Sequence, residues 1–174
     1  MRFNMTSCAL HRNKTIFLLL VFCAAGWTQG HKAQRPKFED FAVKEIYTGK
    51  PAAPDLNREW RTFRTMIREG AKARVEFAGH YTVPRWGCGS GCSTLVVVDS
   101  ITGTIYDGFN VADLPLAWME KHGESVRFEF HPRSRLMKFN GCINEKNCGF
   151  YDYVMIEGKG LLLLRRELLP AEFQ

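Results

Sequence analysis

Four cysteines and one histidine carry the chemistry that this chain could perform. Cys88 and Cys92 lie in the run Arg85-Trp86-Gly87-Cys88-Gly89-Ser90-Gly91-Cys92, and Cys142 and Cys148 bracket a second, polar stretch. His80 precedes the first pair within Phe77-Ala78-Gly79-His80-Tyr81, and Asp99 follows it. Four kinds of chemistry suit this set. The pair can form a structural disulfide clasp, with Gly89 and Gly91 supplying the backbone angles that a tight ring demands. The closed, glycine-rich loop beside Arg85 and Trp86 can be a pre-ordered recognition surface, since little entropy is lost when such a loop binds and Trp and Arg are typical interface anchors. Cys88 can be a nucleophile, with His80 as base and Asp99 as its orienter. The four thiolates can hold zinc.

Spacing and compartment separate these readings. Three residues lie between Cys88 and Cys92, not the two of the thioredoxin-type motif. Structural zinc takes closer ligand pairs. The basic residues Arg2, Arg12 and Lys14 precede the apolar run 16–25, and small residues follow at Ala24, Ala25, Gly26 and Gly30. That order is a secretory signal peptide over residues 1–30, cleaved between Ala25 and Ala33. The run is shorter than the roughly 20 residues of a membrane-spanning helix, so no stable span is expected after cleavage. An exported chain favours disulfides. Cys8 and Cys23 leave with the signal, and Cys88, Cys92, Cys142 and Cys148 remain as two bridges. The local pairs Cys88–Cys92 and Cys142–Cys148 are favoured, and cross-linking of the two loops is the alternative, which would close longer loops.

Composition narrows the function further. The whole chain has 24 Lys+Arg against 18 Asp+Glu, a net +6. Residues 1–30 hold three of the basic residues and no acidic one, so the remainder carries 21 − 18 = +3. That mild charge, with export, gives no case for nucleic acid. No phosphate-binding glycine loop, nucleophile elbow or paired-carboxylate constellation stands out. Asp107, Asp113, Glu120 and Glu124 read as a polar rim. No metal and no cofactor are called for.

The elements that must position the loop follow from periodicity. Residues 31–54 are polar and proline-bearing, an extended arm that wraps the surface. Residues 55–174 form one domain. A helix capped by Asp55 carries the apolar stripe Leu56, Trp60, Phe63 and Ile67, with Arg58, Arg61, Arg64 and Arg68 on its wet side. A strand over 75–83 is interrupted at Gly79 by a bulge or a close backbone approach. Pro84 cannot donate to a ladder, so pairing fails there or lies at an edge. The consecutive apolar residues of 94–99 predict a central strand covered on both faces. A hairpin turn at 100–103 leads to a return strand at 104–106. Asp113 caps a short helix anchored by Leu116, Met119 and Trp118 and ended by Gly123. Strands follow at 126–130, 136–139, 150–156 and 161–164. The sum is an α+β domain: a mostly antiparallel sheet of six or seven strands, packed by one N-terminal helix, with one short helix and disulfide staples.

The run Phe41-x-Val43, Thr48-Gly49-Lys50-Pro51-Ala52, Asp55-Leu56, Phe63-Arg64-Thr65, Phe77-Ala78-Gly79-His80-Tyr81, Trp86-Gly87-Cys88-Gly89-x-Gly91-Cys92 and Asp99-x-x-Thr102-Gly103 resembles a family of small exported bacterial proteins of unknown function. The resemblance implies export and a single domain, and it carries over no catalytic residue. The order of helix, strand, short cysteine-closed loop and hydrophobic strand is outwardly similar to that of some bacterial periplasmic lysozyme inhibitors. Their closed loop carries a histidine, whereas this one holds Gly89-Ser90-Gly91. The expectation is a periplasmic or secreted, non-catalytic binding or inhibitor-like protein whose contact surface is Arg85, Trp86, Gly89, Ser90 and Gly91, with His80 nearby. The partner is an envelope or extracellular protein or glycan. The alternatives are an enzyme using Cys88 and His80, and a purely structural envelope protein.

Overall fold

One long hairpin organises the fold, seen in a computed structural model that describes residues 34–174. Its ascending arm comprises β1 (Tyr81–Thr82) and β2 (Arg85–Gly89), and its descending arm β3 (Cys92–Leu95) and β4 (Val97–Asp99). Tyr81 faces Asp99, Thr82 faces Val98, Arg85 faces Leu95 and Trp86 faces Thr94, so a single antiparallel register runs the whole length. The ladder is broken at Pro84 opposite Val96, where Val96 N still donates to Pro84 O over 3.1 Å. Proline brings no N–H to the ladder, and the hairpin bends there into two sheets. β1 and β4 join β5 (Ile105–Tyr106) in a three-stranded sheet.

β2 and β3 enter the larger, seven-stranded sheet through β6 (Asn110–Ala112). β6 and β7 (Phe128–Phe130) share one side of β8 (Leu136–Ile143). β9 (Cys148–Ile156) takes the other side, and β10 (Gly160–Leu168) is the outer strand. All pairings are antiparallel, and the α+β class with two disulfides stands as expected from the sequence.

The apolar run at 95–98 is covered on both faces, but by two different cores. Leu95 and Val97 point into a cluster with Phe77, Tyr81, Met137, Phe139, Tyr153 and Met155. Val96 and Val98 point the other way, onto Ile67 of the first helix and Ala71 just past its end, with Leu56, Trp60 and Trp86 at the margin. Period-two alternation therefore feeds two apolar layers from one strand.

Several elements differ from their sequence reading. The helix α1 spans Arg64–Gly70 only, and residues 58–63 form turns. Leu56 and Trp60 still reach the Ile67 cluster without helical backbone, because tertiary packing sets their position. The four arginines are exposed as expected. Of the 75–83 stretch only Tyr81–Thr82 is strand; ahead of it a tight turn forms, in which Phe77 and Tyr81 exchange both backbone bonds around Ala78, Gly79 and His80. Gly79 is a point of close approach, since a Cβ there would lie 2.8 Å from Glu45 O of the arm.

The short helix is α2, Leu116–His122. Trp118 and Met119 anchor it against Leu114, Leu169 and the second disulfide, whereas Leu116 is 67% exposed. Asp113 does not cap it; its carboxylate is taken by Arg127. β6 had no strand signal, and β8 to β10 run longer than their apolar cores.

The arm is bonded along the body. Val43 N donates to Arg133 O, Tyr47 N to Gly79 O, Ala52 N to Ser100 O and Asp55 N to Gly103 O. Arg35 anchors it: Nε donates to fully buried Asp152 over 2.7 Å and Nη1 to Asn140 over 3.1 Å. Residues 1–30, expected from the sequence to be a signal peptide, lie outside the described residues. Among the described residues no helix is long and apolar enough to cross a membrane.

Candidate functional site

The tip of the long hairpin is the Cys88–Cys92 loop. Gly89 pairs with Cys92, and the register shifts by one at Cys88, so Cys88 is a bulged residue that reaches back to its partner. Gly87 to Gly91 are exposed, while Cys92 is buried. Gly91 has φ +65°, a left-handed turn position. A Cβ there would also sit 2.9 Å from Asp113 Oδ2. Glycine is thus required by both conformation and contact.

A clamp behind the tip fixes it. Asp113 N donates to Gly91 O over 2.8 Å. Arg127, just ahead of β7, donates from Nε to Asp113 Oδ1 over 2.9 Å, from Nη1 to Ser93 Oγ over 2.5 Å and from Nη2 to Gly91 O over 3.1 Å. A guanidinium binding three groups at once is a rigid fork.

Both disulfides lie at one end of the sheet. Cys92 faces Ala112, Ala112 faces Cys142, and Cys142 faces Cys148, which makes a single row across four strands. Each bridge is local, Cys88–Cys92 and Cys142–Cys148. Asp113 touches both hairpins, since Cys142 Sγ lies 3.3 Å from its carbonyl oxygen. The two loops are thus side by side yet not cross-linked.

Trp86 is half-buried. Its ring stacks on Phe63 at 5.0 Å and 25°, and its other contacts are with the Ile67 cluster. Arg85 is exposed; it pairs with Glu76 over 3.2 Å and lies over the Phe130 ring at 5.1 Å. Ser90 and Gly89 are at the extreme tip. Gly89, Ser90 and Gly91 thus share the exposed tip, while Arg85 and Trp86 lie just below it with their side chains on opposite faces of β2.

His80 is not part of that group. It sits in the turn at the base of the hairpin, before β1, with Nε2 3.8 Å from Asp99 Oδ2 and its ring 4.1 Å from that of Tyr81. Asp99 accepts from Ile101 N and Thr102 N, so it caps the β4–β5 turn. Cys88 is disulfide-bonded and at the opposite end of the hairpin from His80. The structure does not bring Cys88 and His80 together. Among the described residues no group of three or more His, Cys, Asp or Glu is placed to hold a metal ion.

Sequence reasoning missed Arg127 and Asp113 as loop-holding residues. Arg127 carried no motif, and Asp113 followed by Pro115 reads as a helix cap. Comparison of the chain with protein-family models, with characterised proteins and with solved structures finds no match to any of them.

Proposed function

We propose that this is a non-catalytic binding or inhibitor-like protein of the cell envelope, acting outside the cytoplasm, and that the tip of the long hairpin is its contact surface. The observation that carries this reading is the treatment of the tip. A loop whose residues 88–91 are exposed is closed by the Cys88–Cys92 disulfide and held from behind by Arg127 and Asp113. The fold's three apolar clusters account for its packing without Gly89 or Ser90. A loop held so firmly, with no packing role for its exposed residues, suits recognition, because pre-ordering lowers the entropy lost on binding. Arg85 and Trp86 flank it as anchors, and the Cys142–Cys148 loop adds a second protrusion at the same end.

The reading is tested by affinity capture from envelope and secreted fractions with the full, oxidised chain and with Ser90→Arg. The expected result is a discrete partner retained by the parent chain and lost with Ser90→Arg, whose circular dichroism and melting temperature are unchanged. Capture indifferent to Ser90→Arg would overturn the reading.

A further inference from the structure

The arm and the first helix leave a trough between them. Ala52 N is bonded to Ser100 O and Asp55 N to Gly103 O, so this part of the arm is held alongside the β4–β5 turn. The end of α1 and the residues just past it form the other wall. The depression has a volume of about 640 Å³, within the roughly 300–1,000 Å³ of small-molecule sites. A second one, of about 380 Å³, shares Pro51 and Lys72 with it and adds Arg74 and Ser100.

The walls are apolar and every charge on them is positive. Apart from Lys50, Arg68 and Lys72, the larger depression is lined by alanine, proline and one leucine. Neither lining includes an acidic residue. Lys50, Arg68, Lys72 and Arg74 are all exposed. Lys72 pairs with Glu69 over 2.7 Å, while Lys50, Arg68 and Arg74 meet no carboxylate within ion-pair distance among the described residues. Long basic side chains lay their stems on apolar surface and keep their heads in water, so the floor is apolar and the mouth is positive. The floor also lacks donors. Pro51 and Pro54 have no N–H, and that of Ala52 is bonded to Ser100 O. Ser100 is 2% exposed, and its hydroxyl has no hydrogen-bond partner among the described residues. A buried hydroxyl left so is costly, and an acceptor lodged beside it would relieve that cost.

We infer that this trough binds a long-chain carboxylate. The alkyl chain lies in the larger depression and asks no hydrogen bond of its walls. The carboxylate sits where the two depressions meet, at Lys72, with Arg68 on one lining and Arg74 on the other. A peptide or a sugar would bring amides or hydroxyls against a floor with few groups to bond them, which is unfavourable. A cationic amphiphile would meet like charge, and a small anion would leave the floor unused. The inference goes beyond the hairpin-tip reading, and either can fail alone, because no residue of the trough belongs to the tip.

The test is calorimetric titration of the full, oxidised chain at neutral pH with dodecanoate, octanoate, acetate and dodecyltrimethylammonium, each below its micelle-forming concentration. Dodecanoate should bind at least about tenfold more tightly than octanoate, and acetate and dodecyltrimethylammonium should not bind measurably. Dodecanoate should also shift the amide resonances of Ala53 and Ala71 in the parent chain. The double variant Arg68→Glu/Arg74→Glu, at exposed positions, should weaken dodecanoate about tenfold with an unchanged melting temperature, while Ser90→Arg should leave binding as it is. Four results would each overturn the inference: no dodecanoate binding, equal binding of dodecyltrimethylammonium, equal binding of acetate, or affinity indifferent to the double variant.

Discussion

The two disulfide hairpins sit in one row of the same sheet and do different work. Cys142 and Cys148 are both 5% exposed and pack with Leu114, Leu169, Trp118 and Phe150. Their bridge is inside an apolar cluster. Cys88 is exposed and only Cys92 is buried, and the loop between them touches the body through Asp113 and Arg127. The Cys142–Cys148 bridge is a core staple and the Cys88–Cys92 bridge is a surface clasp. The lesson is that identical chemistry at similar spacing takes its role from what surrounds it: apolar neighbours make a bridge part of folding, while polar clamps make it part of presentation.

The comparison yields predictions in falling order of effect. The β8–β9 hairpin holds the anchor of the arm, fully buried Asp152, whose partners are Arg35 and Arg165. Removing one partner of a buried charge is costly. Arg35→Ala is expected to lower unfolding free energy by about 3 kcal/mol, read in urea titrations. A loss near zero would show that Arg165 alone satisfies Asp152.

Next come the bridges. Replacing Cys142 and Cys148 by serine should cost about 3 kcal/mol, and the same change at Cys88 and Cys92 about 2 kcal/mol. Loss of the Cys142–Cys148 pair buries polar hydroxyls among Leu114 and Leu169, which adds to the entropic term. Melting temperatures of the two double variants check the order, and the reverse order would break the distinction between staple and clasp.

The tyrosines sharpen it by pH. Burial pushes the hydroxyls of Tyr81, Tyr151 and Tyr153 above the ordinary tyrosine value; Asp99, Tyr106 and Glu157 add to the rise at Tyr81, and Arg166 opposes it at the other two. The unfolded chain loses these protons near pH 10, whereas the folded chain keeps them. Their contribution is therefore fully present below about pH 10 and is lost as pH rises beyond it. Stability measured from pH 8 to 11 should be flat and then fall, and Tyr81→Phe should reduce the fall.

The smallest effect concerns the clamp. Arg127→Ala should cost about 1 kcal/mol of global stability yet release the tip. The Asp113 amide, bonded to Gly91 O, should exchange faster by about tenfold. Unchanged exchange there would mean that the disulfide alone holds the loop.

Much of the fold was legible because it rests on short-range signals. The consecutive apolar residues at 95–98, the proline at 84 and the Gly-containing turns mark strands and breaks directly. The two-sided burial of Leu95 to Val98 followed from their consecutive apolarity. The site was legible as a loop but not as a clamped loop. Arg127 is 36 residues from Gly91 in the chain, and only the register of β3, β6 and β8 brings its neighbours together. The early helix was over-read because Leu56, Trp60, Phe63 and Ile67 have helical spacing, yet the first three reach the same cluster from turns and from the stack on Trp86. Asp152 was passed over inside an apolar strand, where an acidic residue signals a distant cation.

The most direct measurement is site-directed photo-crosslinking in the native compartment, with a photo-reactive residue in place of Ser90 at the tip and, separately, in place of Lys121 on α2. The account predicts one discrete adduct from position 90 and none from position 121. Adducts from both positions alike, or none from position 90 while position 121 reacts, would contradict the claim that the hairpin tip is the contact surface.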